Sequence, residues 1–172
     1  MNILVTGNLG YIGPVLTNKL ENNGYNTVGF DIGYFADCST SHYSGPKKQI
    51  IKDLRKIEDD DLDNIDIVIH LASLSNDPLG EFMPELTNQI NYVSTMRLAE
   101  IAKKKGIKKF IFASTQSIYG ISKVEEELNE DDSTKNPITA YAITKWKAEQ
   151  ELMQMATDNF CVVALRPSTV FG

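Results

Sequence analysis

Residues 3–13, ILVTGNLGYIG, constrain the fold of this chain more than any other stretch. They begin as an apolar run without polar alternation, which is typical of a strand buried on both faces of a parallel sheet. Glycines follow at positions 7, 10 and 13, where they allow a tight turn and the close approach of a ligand. The next helix would offer its N–H groups and positive dipole end to a pyrophosphate. By itself the motif also fits a tight strand–helix turn without a ligand.

Asp31 lies at the end of the next predicted strand, residues 27–31, 18 residues after Gly13. In a dinucleotide-binding fold, a carboxylate at this place accepts hydrogen bonds from the adenosine ribose. Ile32 and Gly33 follow, and no adjacent arginine is present to hold a 2′-phosphate, so the sequence favours NAD over NADP. The alternative is an ordinary solvated aspartate at a strand end.

Strand and helix segments alternate along the whole chain. Further strands are predicted at 49–51, 67–72, 110–113 and 161–165, and the longer helices at 84–105 and 140–157. This alternation predicts one α/β domain, residues 1–172, with a doubly wound parallel sheet (a Rossmann fold) in strand order 3-2-1-4-5-6. The hydroxyl-rich segment 114–120 follows a strand directly, at the edge where such sheets bind ligands.

The composition argues against several classes of function. The net charge of −6 and the pI of about 4.9 predict no nucleic-acid partner. The lysines at 103–105, 108 and 109 are interpreted as a solvated helix end. No apolar run approaches the roughly 18 residues of a membrane span, so no membrane partner is predicted. Because a strand begins at the N-terminus, we predict no signal peptide and a cytoplasmic location.

The other titratable and thiol side chains are expected to be structural. His70, at the end of an apolar strand, is expected to be buried and hydrogen-bonded. Cys38 and Cys161 lack metal-ligand spacing and are predicted to be reduced thiols, Cys38 in a loop and Cys161 buried in a strand. The acidic residues at 125–127 and 130–132 are predicted to form a solvated rim. No metal site is predicted.

Tyr141 and Lys145 lie one helical turn apart and therefore share one face of the predicted helix. A tyrosine with a pKa of about 10 is a poor base at neutral pH. A nearby lysine ammonium and a cationic nicotinamide would favour the phenolate and lower its pKa. Thr115 could hydrogen-bond the same substrate oxygen. The pair alone also fits an ordinary amphipathic helix, but its place after the glycine turn and the Ser-Thr strand end favours catalysis.

These segments together resemble the extended short-chain dehydrogenase/reductases, particularly the NAD-dependent nucleotide-sugar epimerases and dehydratases of the UDP-galactose 4-epimerase-like kind. The resemblance covers essentially all 172 residues. The motifs that carry it, in chain order, are residues 6–13, Asp31, 53–55, 70–73, Asn91, 114–120, 141–145, Arg166-Pro167 and 170–172. Their number and order argue against coincidence.

The resemblance implies NAD as the cofactor and assigns a role to each matching residue. The glycine turn (Gly7, Asn8, Leu9, Gly10, Tyr11, Ile12 and Gly13) would bind the pyrophosphate. Asp31 would bind the adenosine ribose, Ile32 would be a cofactor contact beside it, and Asp53 and Leu54 would flank the adenine. Leu71, Ala72 and Ser73 would line the middle of the cofactor, with Asn91 and Ala113 as further contacts. Lys145 would bond the nicotinamide ribose, Tyr141 would act as acid and base, and Thr115 would assist it.

The implied reaction is epimerisation. Tyr141 would remove a sugar hydroxyl proton while hydride passes to NAD, and the keto sugar would take the hydride back on its other face. Sugar 4,6-dehydratases of this kind carry an Asp-Glu pair after the residue that matches Thr115, whereas this chain has Gln116 and Ser117. That departure disfavours simple 4,6-dehydration.

Length is a second departure, because family members continue for roughly as many residues again and that part supplies much of the substrate pocket. The resemblance therefore predicts that residues 1–172 are the NAD-binding part, either of a longer protein or as a cofactor-only domain. A non-catalytic NAD-binding module and a keto-sugar reductase or dehydratase remain alternatives. The expected partners are a UDP- or dTDP-hexose substrate and a second copy, with helices 84–105 and 141–157 forming the homodimer contact. Trp146 would lie either in that contact or on the surface of a monomer.

Overall fold

One sheet of six parallel strands organises the chain. The structure, a computed structural model, describes residues 1–38, 45–75, 77–121 and 127–171. The strands are β1 (Asn2–Thr6), β2 (Asn26–Asp31), β3 (Lys48–Ile51), β4 (Ile67–His70), β5 (Lys109–Ala113) and β6 (Cys161–Leu165). Their order in the sheet is β3-β2-β1-β4-β5-β6, which confirms the predicted doubly wound fold.

The helices follow the prediction except in the middle of the chain. They are α1 (Gly13–Asn22), α2 (Asp77–Phe82), α3 (Pro84–Asn88), α4 (Ser94–Lys104) and α5 (Ala140–Met155). A π-helical turn, Gln89–Val93, joins α3 to α4, so the single helix predicted over 84–105 consists of three pieces. Helix α2 was not predicted, and α5 ends two residues before the predicted 157. No helix among the described ranges is both long enough and apolar enough to cross a membrane.

The larger hydrophobic core lies on the face of the sheet that α4 and α5 cover. Leu98 of α4 and Leu152 of α5 are fully buried there against Phe110 and other strand side chains. Each strand contributes alternate residues to this face, as a pleated sheet requires. This packing fixes α5, and with it Tyr141 and Lys145, against β6 and the carboxyl end of β5.

Among the described residues, α1 covers part of the opposite face, where it contacts β1 and β2 and packs over β4. Leu16 and Leu20 pack there on Ile3, Val5 and Ile69. On β6 the side chains of this face, Cys161, Val163 and Leu165, are exposed. The prediction that Cys161 is buried is therefore wrong, because strand pattern alone does not reveal which face a helix covers. Cys38, also exposed, closes the short 3-10 helix Ala36–Cys38.

The charged segments behave largely as predicted. Lys104 and Lys105 at the end of α4 form ion pairs with Asp59 and Asp63, at 2.6 and 2.5 Å. The acidic side chains at 127 and 130–132 are exposed, as a solvated rim requires. Residues 39–44, 122–126 and 172, which include parts of the predicted loop, rim and C-terminal motif, lie outside the described residues.

Candidate active site

The glycine turn lies at the carboxyl edge of the sheet beside the segment that follows β4. Gly7 has φ +73° and donates a hydrogen bond from its N–H to the Phe30 carbonyl at 2.9 Å. A Cβ on Gly7 would stand 2.7 Å from the Ala72 nitrogen. Only glycine tolerates both the positive φ and this contact, so the turn and the segment at 71–73 pack backbone to backbone.

Asn8 anchors the turn to β3. Its buried side chain forms two hydrogen bonds with Gln49 of β3. The Asn8 amide N–H donates to the Gln49 side-chain oxygen at 2.7 Å, and the Gln49 amide N–H donates to the Asn8 side-chain oxygen at 3.2 Å. A Cβ on Gly29 would come within 2.4 Å of the Asn8 Nδ2, and one on Gly13 would come within 2.4 Å of the Asn8 Cα. Gln49, Gly29 and Gly13 thus all lie in close contact with Asn8, which makes the turn rigid.

Asp31 connects the turn to the end of β2. Its carboxylate accepts hydrogen bonds from the N–H of Leu9 at 3.1 Å and from the N–H of Gly33 at 2.8 Å. Acceptance by a carboxylate leaves further lone pairs for ribose hydroxyls. Tyr11 and Ile12, on the outer side of the turn, are 66% and 39% exposed.

The segment after β4 carries an unusual polar atom. The hydroxyl oxygen of Ser73 is the one buried side-chain N or O atom without a hydrogen-bond partner within the described ranges. Asn91, in the π-helical turn, clamps the next residue by accepting from the Leu74 N–H at 2.8 Å and donating to the Leu74 carbonyl at 3.0 Å. Because buried hydroxyls are normally paired, Ser73 is fitted to receive a ligand group.

His70 is neutral and structural, in agreement with the prediction. Thr95 donates its only hydroxyl proton to the Asn91 carbonyl at 2.9 Å, so the His70 Nε2 must donate to Thr95 at 2.8 Å. Nδ1 then accepts from the Thr6 hydroxyl at 2.6 Å, and Thr6 in turn accepts from the Ala72 N–H at 3.3 Å. Complete burial lowers the pKa of His70 to about 3. This chain of bonds connects β1, β4 and the π-helical turn beneath the candidate site.

Asp53 and Leu54 occupy different environments. The Asp53 carboxylate forms an ion pair with Arg55 at 2.5 Å, which holds the pKa of the carboxyl below its usual value. Leu54 is 6% exposed and belongs to the larger core. The two residues lie just after β3, beyond the end of β2 that carries Asp31. Their predicted contact with adenine stays a prediction.

The three residues predicted for catalysis come together. Lys145 is 2% exposed, and its Nζ donates to the Ala113 carbonyl at 2.8 Å. The same Nζ lies 4.7 Å from the centre of the Phe112 ring and 6.0 Å from that of the Tyr141 ring. Thr115 is buried beside the Tyr141 phenol. β5 therefore supplies one wall of the site and α5 the other.

Burial controls the titration of this group. It lowers the pKa of Lys145 from 10.5 to about 7, because the charged ammonium is desolvated. Burial also raises the pKa of the Tyr141 phenol, and the neighbouring Thr115 side chain opposes that rise only in part. The sequence analysis predicted that Lys145 and a bound nicotinamide together would lower the pKa of Tyr141, whereas the protein's own groups raise it. The physical reason is that burial desolvates the charged phenolate, and the nearby Asp77 carboxylate adds to the rise.

Helix α2 positions Tyr141, and sequence reasoning missed it. Asp77 accepts from the Thr139 hydroxyl at 2.7 Å, and Glu81 accepts from the Ala140 N–H at 2.5 Å. Thr139 itself caps α5 by accepting from the Ala142 N–H. The pair Asp77-Pro78 is a recognised helix start, so the signal was present but the helix is only six residues long.

The carboxyl ends of β1, β4 and β5 lie side by side, because Thr6 pairs with His70 and His70 with Phe112. The glycine turn, the segment at 71–73 and the pair Ala113–Thr115 therefore emerge at one edge, which is where open parallel sheets bind ligands. The described residues contain no group of three His, Cys, Asp or Glu side chains that could hold a metal ion.

Comparison with known proteins agrees with this geometry. A family model described as the NAD dependent epimerase/dehydratase family matches residues 3–172. The chain belongs to this family. The description of the family also agrees with NAD, the cofactor that the sequence predicted.

Individual relatives include epimerases and a dehydratase. A UDP-glucose 4-epimerase of Bacillus subtilis (strain 168) is 33% identical over 185 residues, which span 100% of this chain and 53% of the relative. The structure of MoeE5 in complex with UDP-glucose and NAD is 29% identical, with a TM-score of 0.83, and covers 96% of this chain and 54% of that one. TunA, an NAD dependent NDP-hexosamine 5,6-dehydratase, is 26% identical with a TM-score of 0.84 and the same coverage. The chain spans about half the length of the relatives it matches.

The described residues fit a dinucleotide on independent structural grounds. The glycine turn has no room for a Cβ at Gly7 or Gly13, Asp31 has acceptor capacity left, and the Ser73 hydroxyl is buried without a partner. All three lie at the carboxyl edge of the sheet. The turn and Asp31 suit the pyrophosphate and ribose, and Ser73 suits a polar group of the cofactor's middle.

Proposed function

We propose that this chain is the NAD-binding, catalytic part of a nucleotide-sugar epimerase. The observation that carries the proposal is the meeting of Tyr141, Lys145 and Thr115 at the same sheet edge as the glycine turn. NAD, when bound, would accept hydride from a sugar carbon and return it. The remaining chemistry is a proton transfer at a sugar hydroxyl, for which an acid/base group and an orienting hydroxyl are needed.

The three side chains have distinct roles in this proposal. Tyr141 takes the hydroxyl proton from the sugar and later gives it back. Thr115 bonds the same oxygen and holds it in line with the phenol. Lys145 titrates close to neutral pH, so it can bond the nicotinamide ribose as an ammonium or pass a proton as the site is filled. The positive charge of a bound nicotinamide would oppose the effect of burial on the pKa of Tyr141.

The substrate class follows from family membership and from two positions on the chain. Relatives that are epimerases or that bind UDP-glucose support a nucleotide sugar. Gln116 is exposed, and neither it nor Ser117 is a carboxyl group. Loss of water from a sugar needs an acid and a base at the adjacent carbons, which these residues do not supply. Epimerisation is therefore preferred over dehydration.

The test is calorimetric titration with NAD, followed by conversion of UDP-glucose to UDP-galactose. NAD should bind, and Tyr141→Phe should leave binding within about 3-fold while lowering kcat by about 100-fold or more, the usual effect of losing a general acid/base. Tyr25→Phe, at the opposite edge of the sheet, is the matched control and should change neither. Failure of the folded protein to bind NAD would overturn the proposal.

Two other functions give different results in the same experiment. A non-catalytic NAD-binding module would bind NAD and convert no nucleotide sugar, whether or not Tyr141 is present. A keto-sugar reductase would consume added NADH steadily, because an epimerase recycles its cofactor within each turnover.

We also propose a homodimer through α4 and α5. Between these helices runs a groove of about 610 Å³, lined among others by Met96, Lys103, Lys147 and Gln150. Trp146 is half-buried, and the Arg166 guanidinium lies 5.8 Å from its ring. Light scattering should give about twice the chain mass of 19.2 kDa at working concentration. A monomer mass would overturn the dimer without bearing on NAD binding.

A further inference from the structure

A second buried polar cluster lies one helical turn below Lys145. Glu149 is 3% exposed, and its carboxylate accepts from three groups. Arg166 donates through Nε at 3.0 Å and through Nη2 at 2.5 Å, and Ser114 donates its hydroxyl proton in a short hydrogen bond. Arg166 also donates to the Tyr119 hydroxyl at 2.7 Å and to the Glu130 carbonyl at 2.8 Å.

Stability alone is a poor explanation for this cluster. Burying an ion pair costs desolvation of both charges, and replacing such pairs with apolar side chains is often neutral or stabilising. The documented use of buried polar groups is to specify one arrangement among several that would pack. Both oxygen atoms of the Glu149 carboxylate accept hydrogen bonds, one from Arg166 and one from Ser114, so Glu149 selects one alignment of the elements that supply these donors.

Those elements are the two walls of the candidate active site. Ser114 lies between Ala113, whose carbonyl accepts a hydrogen bond from the Lys145 ammonium, and Thr115, which lies beside Tyr141. Glu149 lies four residues after Lys145, on the same face of α5. The bond from Ser114 to Glu149 therefore fixes the end of β5 against α5 directly beside the reacting groups.

We propose that Glu149 is a positioning residue which, through Ser114 and Arg166, holds the carboxyl end of β5 against the Tyr141–Lys145 face of α5. The inference rests on the proposed function only in calling that face catalytic. Without the latch formed by Ser114, Glu149 and Arg166, β5 would keep its ladder with β4, but Ala113 and Thr115 would no longer be held at a fixed distance from α5.

The experiment reads the titration of Lys145 by NMR of isotope-labelled lysine in the full chain, without cofactor or substrate. The variants are Ser114→Ala, which leaves all charges in place, and Glu149→Gln, which keeps the shape of the side chain. Loosening the latch admits water to Lys145, so its titration midpoint should rise by about one pH unit or more in both variants. In the double variant the midpoint should rise no further than in Glu149→Gln alone, because both changes break one contact.

Ser94→Ala is the matched control. Ser94 is as buried as Ser114 and likewise donates one hydrogen bond, but at 2.8 Å to the Gln89 carbonyl of the π-helical turn rather than to Glu149. This variant should lose a similar free energy of unfolding and leave the Lys145 midpoint unchanged. A stability loss in Ser114→Ala with an unchanged midpoint would make the cluster merely structural and overturn the proposal.

The sign of the shift separates positioning from simple charge removal. Removal of the Glu149 charge alone would lower the Lys145 midpoint, because a nearby anion favours the ammonium. A fall in Glu149→Gln with no change in Ser114→Ala would therefore overturn the proposal too. Since the titration is read without NAD, an absence of NAD binding would refute the proposed function and leave this result standing.

Discussion

Lys145→Met should make the chain more stable near neutral pH while it abolishes the proposed activity. Lys145 is 2% exposed, and burial lowers its pKa from 10.5 to about 7. A lysine with this pKa lowers the free energy of unfolding at pH 7 by on the order of 4 kcal/mol, relative to a lysine whose pKa is the same in the folded and the unfolded chain. Methionine has a similar stem and no charge to desolvate.

Part of this gain is lost with the contacts of the ammonium. The Ala113 carbonyl would lose its donor at 2.8 Å, and the Phe112 ring would lose a cation 4.7 Å from its centre. An unsatisfied buried carbonyl costs about 1–2 kcal/mol, so the expected net stabilisation is about 2 kcal/mol. Activity should fall about 100-fold or more if Lys145 binds and orients the cofactor as proposed.

The pH dependence fixes the sign of the effect. Between pH 10.5 and 7 the unfolded chain holds a proton on Lys145 that the folded chain does not, so the free energy of unfolding falls as the pH falls through this window. The advantage of Lys145→Met should therefore be largest below pH 7 and shrink as the pH rises toward 10.5. Urea denaturation at pH 6, 7.5 and 9.5 measures it.

Lys108→Met is the control, since Lys108 is an exposed lysine directly before β5. It should change the free energy of unfolding by less than about 0.5 kcal/mol at each pH. A Lys145→Met protein that is less stable than the parent at pH 6 would contradict the prediction. It would mean that the ammonium is charged and well solvated inside the fold.

Sequence pattern was sufficient for the fold because each strand carries its own signal. The apolar run before Gly7 and the continuously apolar β4 are typical of buried parallel strands, and their alternation with helices determines the sheet order. The pattern does not show which face each helix covers. That information decides the exposure of Cys161, and it depends on packing between segments distant in the sequence.

Sequence analysis predicted those parts of the candidate site whose residues are close neighbours along the chain. Tyr141 and Lys145 are neighbours on a helix by their spacing alone, and Glu149 continues the same four-residue series, so it could have been noticed. Its partners could not, because Ser114 and Arg166 approach it only after β5 and β6 pair. The pKa of Tyr141 depends on burial, which spacing does not reveal.

Gly13→Ala should destabilise the fold itself rather than the ligand contact alone. The added Cβ would stand 2.4 Å from the Asn8 Cα and 2.5 Å from its carbonyl carbon and oxygen, and backbone atoms cannot rotate away as a side chain can. Asn8 is held in turn by Gln49, and the next residue, Leu9, by Asp31. We expect a loss of about 3 kcal/mol in the free energy of unfolding, at the upper end of overpacking effects.

Substitutions at two other glycines separate the effect of a Cβ clash from that of a positive φ and from that of ligand contact. Gly24→Ala meets nothing within 4 Å, so its cost is that of a positive φ alone, about 1 kcal/mol. The Cβ added in Gly10→Ala would meet only the Gly7 carbonyl oxygen, at 3.3 Å, so the fold should remain nearly as stable. The affinity for NAD should nevertheless fall if the turn binds the pyrophosphate. Urea denaturation and calorimetry on the three proteins test this order. A Gly13→Ala protein no less stable than Gly24→Ala would show that the turn is not rigid around Asn8.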